Sequence, residues 1–329
     1  MVRRVLFALV LVLLVGLVAG AWWWWHKPPT PKGEAYTCLE NIPLWSGVGQ
    51  VRQPIAHLAW GQELTILNRY SDYVEVRTPK GLVGWVRERR LMTPGVWHDT
   101  GLLAARIRQM TTQSSGQTAV LSNLRLDPGI KSPRIGQLLP HTPVEILARG
   151  VAAAPANTVG SGEPRKQDWL LVRARPGKGI QMAGWVLAEF INIHLPGSLP
   201  AYTSSEGLEP IACFPLRSVN DPAFGREAYY LVAGSNGVEG SACDFTMLRV
   251  YTWSVLHRRY ETAFVQNNLC GKLPIDVSVP SDPRRDVTFH FRNLAPSGKQ
   301  TLAYTMRYTM VRALPAQSAT TTATAALTR

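Results

Sequence analysis

Two stretches a hundred residues apart, GLVGWVRERRL at 81–91 and QMAGWVLAEFI at 181–191, share a Gly-Trp-Val centre, and each closes a run of short alternating segments. A unit this small that appears twice has to bury its own core each time, which restricts the N-terminal half to compact modules more than composition does. Before the first closing stretch come HLAW, ELTILN and YVEVR, separated by Gly, Asn or Asp. The alternation in ELTILN and YVEVR is the strand period. Before the second come AVLSNLRLD, IGQLLP, TPVEILAR and DWLLVRAR. Aligned from the back, Asp72-Tyr73 matches Asp168-Trp169, Val76-Arg77 matches Val172-Arg173, and Gly84-Trp85-Val86 matches Gly184-Trp185-Val186. The pattern predicts two small antiparallel β domains, at 34–93 and 118–194. The second holds an inserted loop, GVAAAPANTVGSGEPRKQ at 150–167, whose Gly, Ala, Pro and Ser content suits a protruding hairpin tip. The linker 94–117 contains TGLLAARIRQM, which predicts a short helix.

Residues 1–27 begin with Arg3 and Arg4 and continue uncharged from Val5 to Trp25. Val5 to Trp24 would make about 30 Å of helix, enough to cross a bilayer core. Ala19-Gly20-Ala21 also fits a signal-peptide cleavage site, so removal and retention both remain open. Trp22 to Trp25 fit an interfacial belt, and Arg3 and Arg4 place the N-terminus in the cytoplasm. The expectation is a single-pass inner-membrane protein held through residues 5–25, its bulk periplasmic or otherwise extracytoplasmic. The Pro-rich spacer 28–33 follows.

The second copy gives the repeat a family. NLRLDPGIKSPRIGQLLPHTPVEIL at 123–147, followed by DWLLVR and GWV, resembles the bacterial SH3 (SH3b) domain. The first copy matches in its later half, whereas its opening, IPLWSGVGQVRQPIAHLAWGQ, departs from the family start. The resemblance implies two small SH3-like barrels, and cell-wall peptides or glycans, or another envelope protein, as partner. In barrels this small, Trp85 and Trp185 are expected to fill the cores beside bend-forming Gly84 and Gly184. Tyr73, Arg77, Trp169 and Arg173 are the candidate ligand contacts.

From 200 to 314, AYYLVAG, FTMLRVYTWSVL, RRYETAFVQ, LPIDVSV, DVTFHFRN and TLAYTMRYTMVRAL alternate between turn signals. They predict a C-terminal antiparallel sheet or sandwich, followed by a low-complexity tail at 315–329. The fold class is therefore mainly β. In an oxidising compartment the cysteines matter. Cys243 and Cys270 flank the hairpin at 245–266 and are a candidate disulfide, with Cys213 as the competing partner, while Cys38 is left over and available to link two chains.

Formal net charge is +13, and the excess lies in the repeats: residues 1–199 hold 22 Lys and Arg against 12 Asp and Glu, and residues 200–329 hold 13 against 10. On an exported chain such a surface suits anionic envelope partners rather than nucleic acid. No cysteine sits at a helix start beside a histidine, as a thiol hydrolase needs, and no H-E-x-x-H motif appears. The expectation is a non-catalytic binding protein with no catalytic residues, metal or cofactor. The alternative is a scaffold subunit whose C-terminal domain makes the functional contact.

Overall fold

The computed structural model describes residues 30–154, 165–175, 181–237, 239–295 and 298–315. The expected membrane helix at 1–27, the tip of the inserted loop and nearly all of the C-terminal tail lie outside them. Among the described residues no helix is long and apolar enough to cross a membrane. The protein is mainly β and antiparallel, and it divides into two compact units, separated close to Pro94 apart from Cys38–Glu40, which group with the second.

The first unit is one sheet of β1 (Gly33–Thr37), β2 (Ile42–Trp45), β3 (Pro54–Leu58), β4 (Glu63–Tyr70), β5 (Tyr73–Arg77), β6 (Val83–Arg87) and β7 (Leu91–Met92), in the order β3-β2-β6-β5-β4-β1-β7. Strand alternation sorts the side chains. Leu44, Leu64, Val74, Val76 and Val86 are at most 1% exposed and form the core. Tyr73, Glu75 and Arg77 take the other face of β5.

The second unit opens with α1 (Pro94–Ile107), which buries Thr100, Leu103 and Ile107 along one side. A second sheet follows: β8 (Ser114–Thr118), β9 (Ser122–Arg125), β10 (Arg134–Leu138), β11 (Pro143–Ala153), β12 (Lys166–Ala174), β13 (Met182–Leu187) and β14 (Ile191–His194). Its order, β10-β9-β13-β12-β11-β8-β14, repeats that of the first sheet strand for strand. Local irregularities repeat as well. The register shifts between Ile66 and Asn68 in β4 and between Ile146 and Ala148 in β11. Thr37 Oγ1 donates to the Ala59 carbonyl and accepts from the Gln62 N–H at 2.8 Å; Thr118 Oγ1 donates to Leu139 at 2.6 Å and accepts from Thr142 at 2.9 Å. The second sheet begins at Ser114 rather than 118, because SSGQT, polar throughout, pairs with both β11 and β14.

After α2 (Leu199–Ser205) come two four-stranded meanders: β15 (Glu209–Asp221), β16 (Gly225–Ser235), β17 (Met247–Ser254) and β18 (Arg259–Gln266), then β19 (Gly271–Ser278), β20 (Val287–Ala295), β21 (Gly298–Arg307) and β22 (Met310–Ala313). Phe264 of β18 meets Tyr304 of β21 edge to face, with ring centres 5.5 Å apart. A disulfide joins Cys243 to Cys270. Gln113, fully buried, ties these strands to the repeat. Its N–H donates to Ile146 at 2.7 Å, its carbonyl accepts from the Cys213 N–H at 2.9 Å, and its side-chain Oε1 accepts from the Ile275 N–H at 2.8 Å.

Three expectations are corrected. Trp85 and Trp185 are half-buried, and Trp85 stands on the side of its sheet away from Val74, Val76 and Val86, so aliphatic residues and not the indoles fill the core. Gly84 and Gly184 make no bend. A Cβ at Gly84 would lie 2.8 Å from both Leu44 Cγ and the Trp45 carbonyl oxygen, and one at Gly184 would lie 3.0 Å from the Arg125 oxygen, so each glycine admits the neighbouring strand. Cys38 is 1% exposed, which leaves its sulfur no surface from which to link chains.

Candidate functional site

Three strands of the first sheet carry the strongest polar and aromatic cluster on its outer face. Tyr73 on β5 lies opposite Arg87 on β6, Glu75 lies opposite Trp85, and Trp85 lies opposite Trp45 on β2. Arg52, from the loop between β2 and β3, reaches over them. Its Nη1 donates to the Tyr73 hydroxyl at 2.7 Å, and Arg87 Nε donates to the same oxygen at 3.1 Å. The Arg52 guanidinium lies 4.7 Å from the Trp45 ring centre and 5.2 Å from that of Tyr73, while Arg87 lies 5.6 Å from the Tyr73 ring. Such cation–π contacts are worth about 0.5–1 kcal/mol each at exposed sites. They fix two long side chains that would otherwise sample many rotamers.

Two cations therefore converge on one phenol. The hydrogen bond from Arg87 pulls the Tyr73 hydroxyl below the ordinary tyrosine range, with Arg52 adding to it against the opposing effect of burial. Counter-charge is sparse: Asp72 approaches Arg87 at 3.9 Å, and among the described residues no carboxylate pairs with Arg52. The arrangement can receive negative charge, and the indoles of Trp45 and Trp85 beside it offer flat apolar contact.

Of the sequence candidates, Tyr73 sits at the centre of this cluster. Arg77 shares its face but lies at the far end of β5, opposite Thr65 and Val83. Trp169 and Arg173 hold the equivalent positions in the second sheet and have different surroundings. Trp169 is 4% exposed and Tyr73 8%, so the two positions differ in their partners and not in burial. Arg173 bonds Glu145 at 2.5 Å, the Ile107 carbonyl at 3.0 Å and Thr112 at 3.0 Å, which fastens the end of α1 to the sheet. Leu187 and Arg125 stand where the first copy has Arg87 and Trp45, so the clamp is not repeated. Sequence reading missed Trp45, Arg52 and Arg87. Arg87 was visible only as part of the basic run RERR, and Trp45 and Arg52 lie in the segment that departs from the family pattern.

A second contrast concerns Arg69 and Arg149, which occupy matching register positions opposite Val74 and Leu170. Arg69 pairs with Glu88 on the surface, both side chains more than half exposed. The Arg149 side chain is 5% exposed and bonds Asp168 at 2.6 Å, Asp244 at 3.2 Å, and the Ser241 and Cys243 carbonyls at 3.0 Å each. Asp244 also accepts from Lys272 and from the Leu273 N–H, and Asp168 from the Gly240 N–H. Where the first copy has Glu88 the second has Ala188, and the turn at 240–244 takes the space. The second copy's edge is thus filled by its own chain.

Burial pushes the Cys213 thiol up to about 12, the opposite of an activated nucleophile. Among the described residues no group of three His, Cys, Asp or Glu is placed to hold a metal ion.

No family model and no curated protein matches the chain. Among solved structures it is similar to an NlpC/P60 family protein from Bacillus cereus, at 14% identity and a TM-score of 0.20 over 57% of this chain and 65% of that one. It is also similar to NlpC1 and NlpC2 from Trichomonas vaginalis, at 10% and 9% identity, with TM-scores of 0.18 each, over 74% and 88% of this chain and 95% and 98% of theirs. The chain thus spans less than two thirds of the Bacillus protein, and similarity at these scores carries no argument about activity.

Proposed function

We propose that the chain is a membrane-anchored, extracytoplasmic, non-catalytic binding protein with two SH3b-like barrels that have unequal jobs. The first barrel presents the face around Trp45, Arg52, Tyr73 and Arg87 to a cell-wall peptide or glycan, or to an envelope protein. The second serves as the base on which the C-terminal strands are built. The observation that carries this reading is the contrast in bonding at matching positions: in one copy two arginines of a half-buried face meet on the Tyr73 hydroxyl, while in the other Arg173 and Arg149 are bonded to their own unit. A weak module held near a membrane by an anchor at residues 5–25 gains effective concentration toward a wall-bound partner.

The test is sedimentation of the full-length chain, in detergent, with insoluble peptidoglycan. Trp45→Ala is expected to reduce retention several-fold, and Trp169→Phe to leave it unchanged. Equal retention of wild type and Trp45→Ala would remove the first barrel's face from the binding function.

The second reading, a scaffold whose C-terminal domain makes the contact, is favoured by a cleft of about 510 Å³ on β19–β21, lined by Asp276, His290, Arg292, Thr301 and Ala303 among others. His290→Ala together with Arg292→Ala would then abolish partner capture while Trp45→Ala would not.

A further inference from the structure

We infer that the first barrel's face recognises a peptide carboxylate, held between Arg52 and Arg87, with Tyr73 as the positioning residue that sets the two guanidiniums. The inference rests on the binding function proposed above and specifies the chemical group that this face reads.

Two guanidiniums do not approach one another without something between them, because like charges at short range repel. Here the shared acceptor is neutral. The Tyr73 hydroxyl takes one N–H from each arginine and leaves the remaining donors of both forks directed elsewhere. Asp72 stands 3.9 Å from Arg87, and Glu75 shares the face opposite Trp85, but among the described residues neither carboxylate bonds Arg52, whose other N–H donors can meet one. Guanidinium donors match a planar carboxylate in twos. The half-buried indoles of Trp45 and Trp85 lie on the same face and suit the apolar part of a peptide better than a strongly hydrated polyphosphate. Tyr73 touches no ligand in this scheme. It presets the geometry, so that less side-chain freedom is lost on binding.

The phenol also supplies a readout independent of any wall. A carboxylate bound to the arginines competes for the hydrogen bonds, and offsets the charge, that draw the Tyr73 hydroxyl downward, so its titration should move up. The experiment is a spectrophotometric titration of full-length protein in detergent, wild type minus Tyr73→Phe, with acetyl-trialanine as the free acid, as the C-terminal amide, and with inorganic phosphate. An upward shift with the acid and none with the amide is expected, together with loss of the shift in Arg52→Gln. Isothermal titration should show at least about tenfold weaker binding of the acid to Arg52→Gln, the equivalent of losing one charged hydrogen bond. Equal response to acid and amide, or a response to phosphate alone, overturns the inference. If Arg52→Gln does not fold, the acid–amide comparison on the unaltered chain decides by itself. Wall retention that depends on Trp45 without any response to the acid would sink the carboxylate and leave the binding function standing. A response to the acid without wall retention would do the reverse.

Discussion

Replacing Arg149 by alanine should do far more damage than the same replacement at Arg69, although the two occupy matching places in copies of one sheet. Arg69 and Glu88 are 55% and 52% exposed, and a pair so hydrated contributes about 0–1 kcal/mol. Arg149 and Asp244 are 5% and 2% exposed. Removing one member of a buried pair costs about 3–5 kcal/mol, because the remaining charge keeps its desolvation without its partner. Asp244 would retain Lys272 and the Leu273 N–H, which argues for the lower end. Against that, the Ser241 and Cys243 carbonyls would lose their donor, at about 1 kcal/mol or more each if they stay dry. The expected loss is therefore about 3–5 kcal/mol. A chain of two units does not unfold in one step, so hydrogen exchange is the proper assay. The Gly240 and Leu273 amides, which donate to Asp168 and Asp244, should lose protection in Arg149→Ala and keep it in Arg69→Ala. A change of less than about 1 kcal/mol at these amides would refute the argument that burial sets the difference between the two arginines.

Three further outcomes can be checked. Because the Tyr73 hydroxyl is lowered in the fold relative to about 10 in the unfolded chain, its ionisation stabilises the first unit as pH rises toward 10 and contributes nothing at lower pH; Arg87→Gln should move its ultraviolet titration upward. With its thiol pushed up to about 12, Cys213 should resist iodoacetamide at neutral pH until the second unit is unfolded, and the corresponding stability should fall as pH rises above roughly 9; rapid labelling of native protein, read by mass spectrometry, would contradict this. Gly84→Ala should destabilise the first unit by about 1–3 kcal/mol through overpacking against Leu44 and the Trp45 carbonyl, whereas Gly101→Ala in α1, with open space around it, should be neutral or slightly stabilising in thermal melts.

The repeat was legible because strand alternation and the Gly-Trp-Val closure are local patterns. The strand order that the two copies share follows from the same segments in the same sequence. The hairpin at 245–266 was legible for the same reason, and its turn carries Arg258 at φ 52°. What could not be read was the side of the sheet on which each tryptophan falls. GWV looks like a core triplet by composition, yet alternation sends Gly84 and Val86 inward and Trp85 outward. The candidate cluster was half legible: Tyr73 follows from alignment of the copies, but Arg52 lies 21 residues earlier and joins it only when the loop after β2 folds across. Nor does any local pattern show that Trp169 and Arg173, aligned with Tyr73 and Arg77, are occupied within their own unit. Matching register fixes where a side chain starts and says nothing of what covers it.

Gln113 makes the two halves of the second unit difficult to separate by genetic means. A fragment ending after β14 would strip its carbonyl and its side-chain oxygen of the amides of Cys213 and Ile275, and a fragment beginning at α2 would strip those amides of their acceptors. Either cut bares polar groups shaped for each other. The seam along which this chain can be recombined, truncated or grafted onto another protein therefore runs close to Pro94, and everything beyond it travels as a single heritable block.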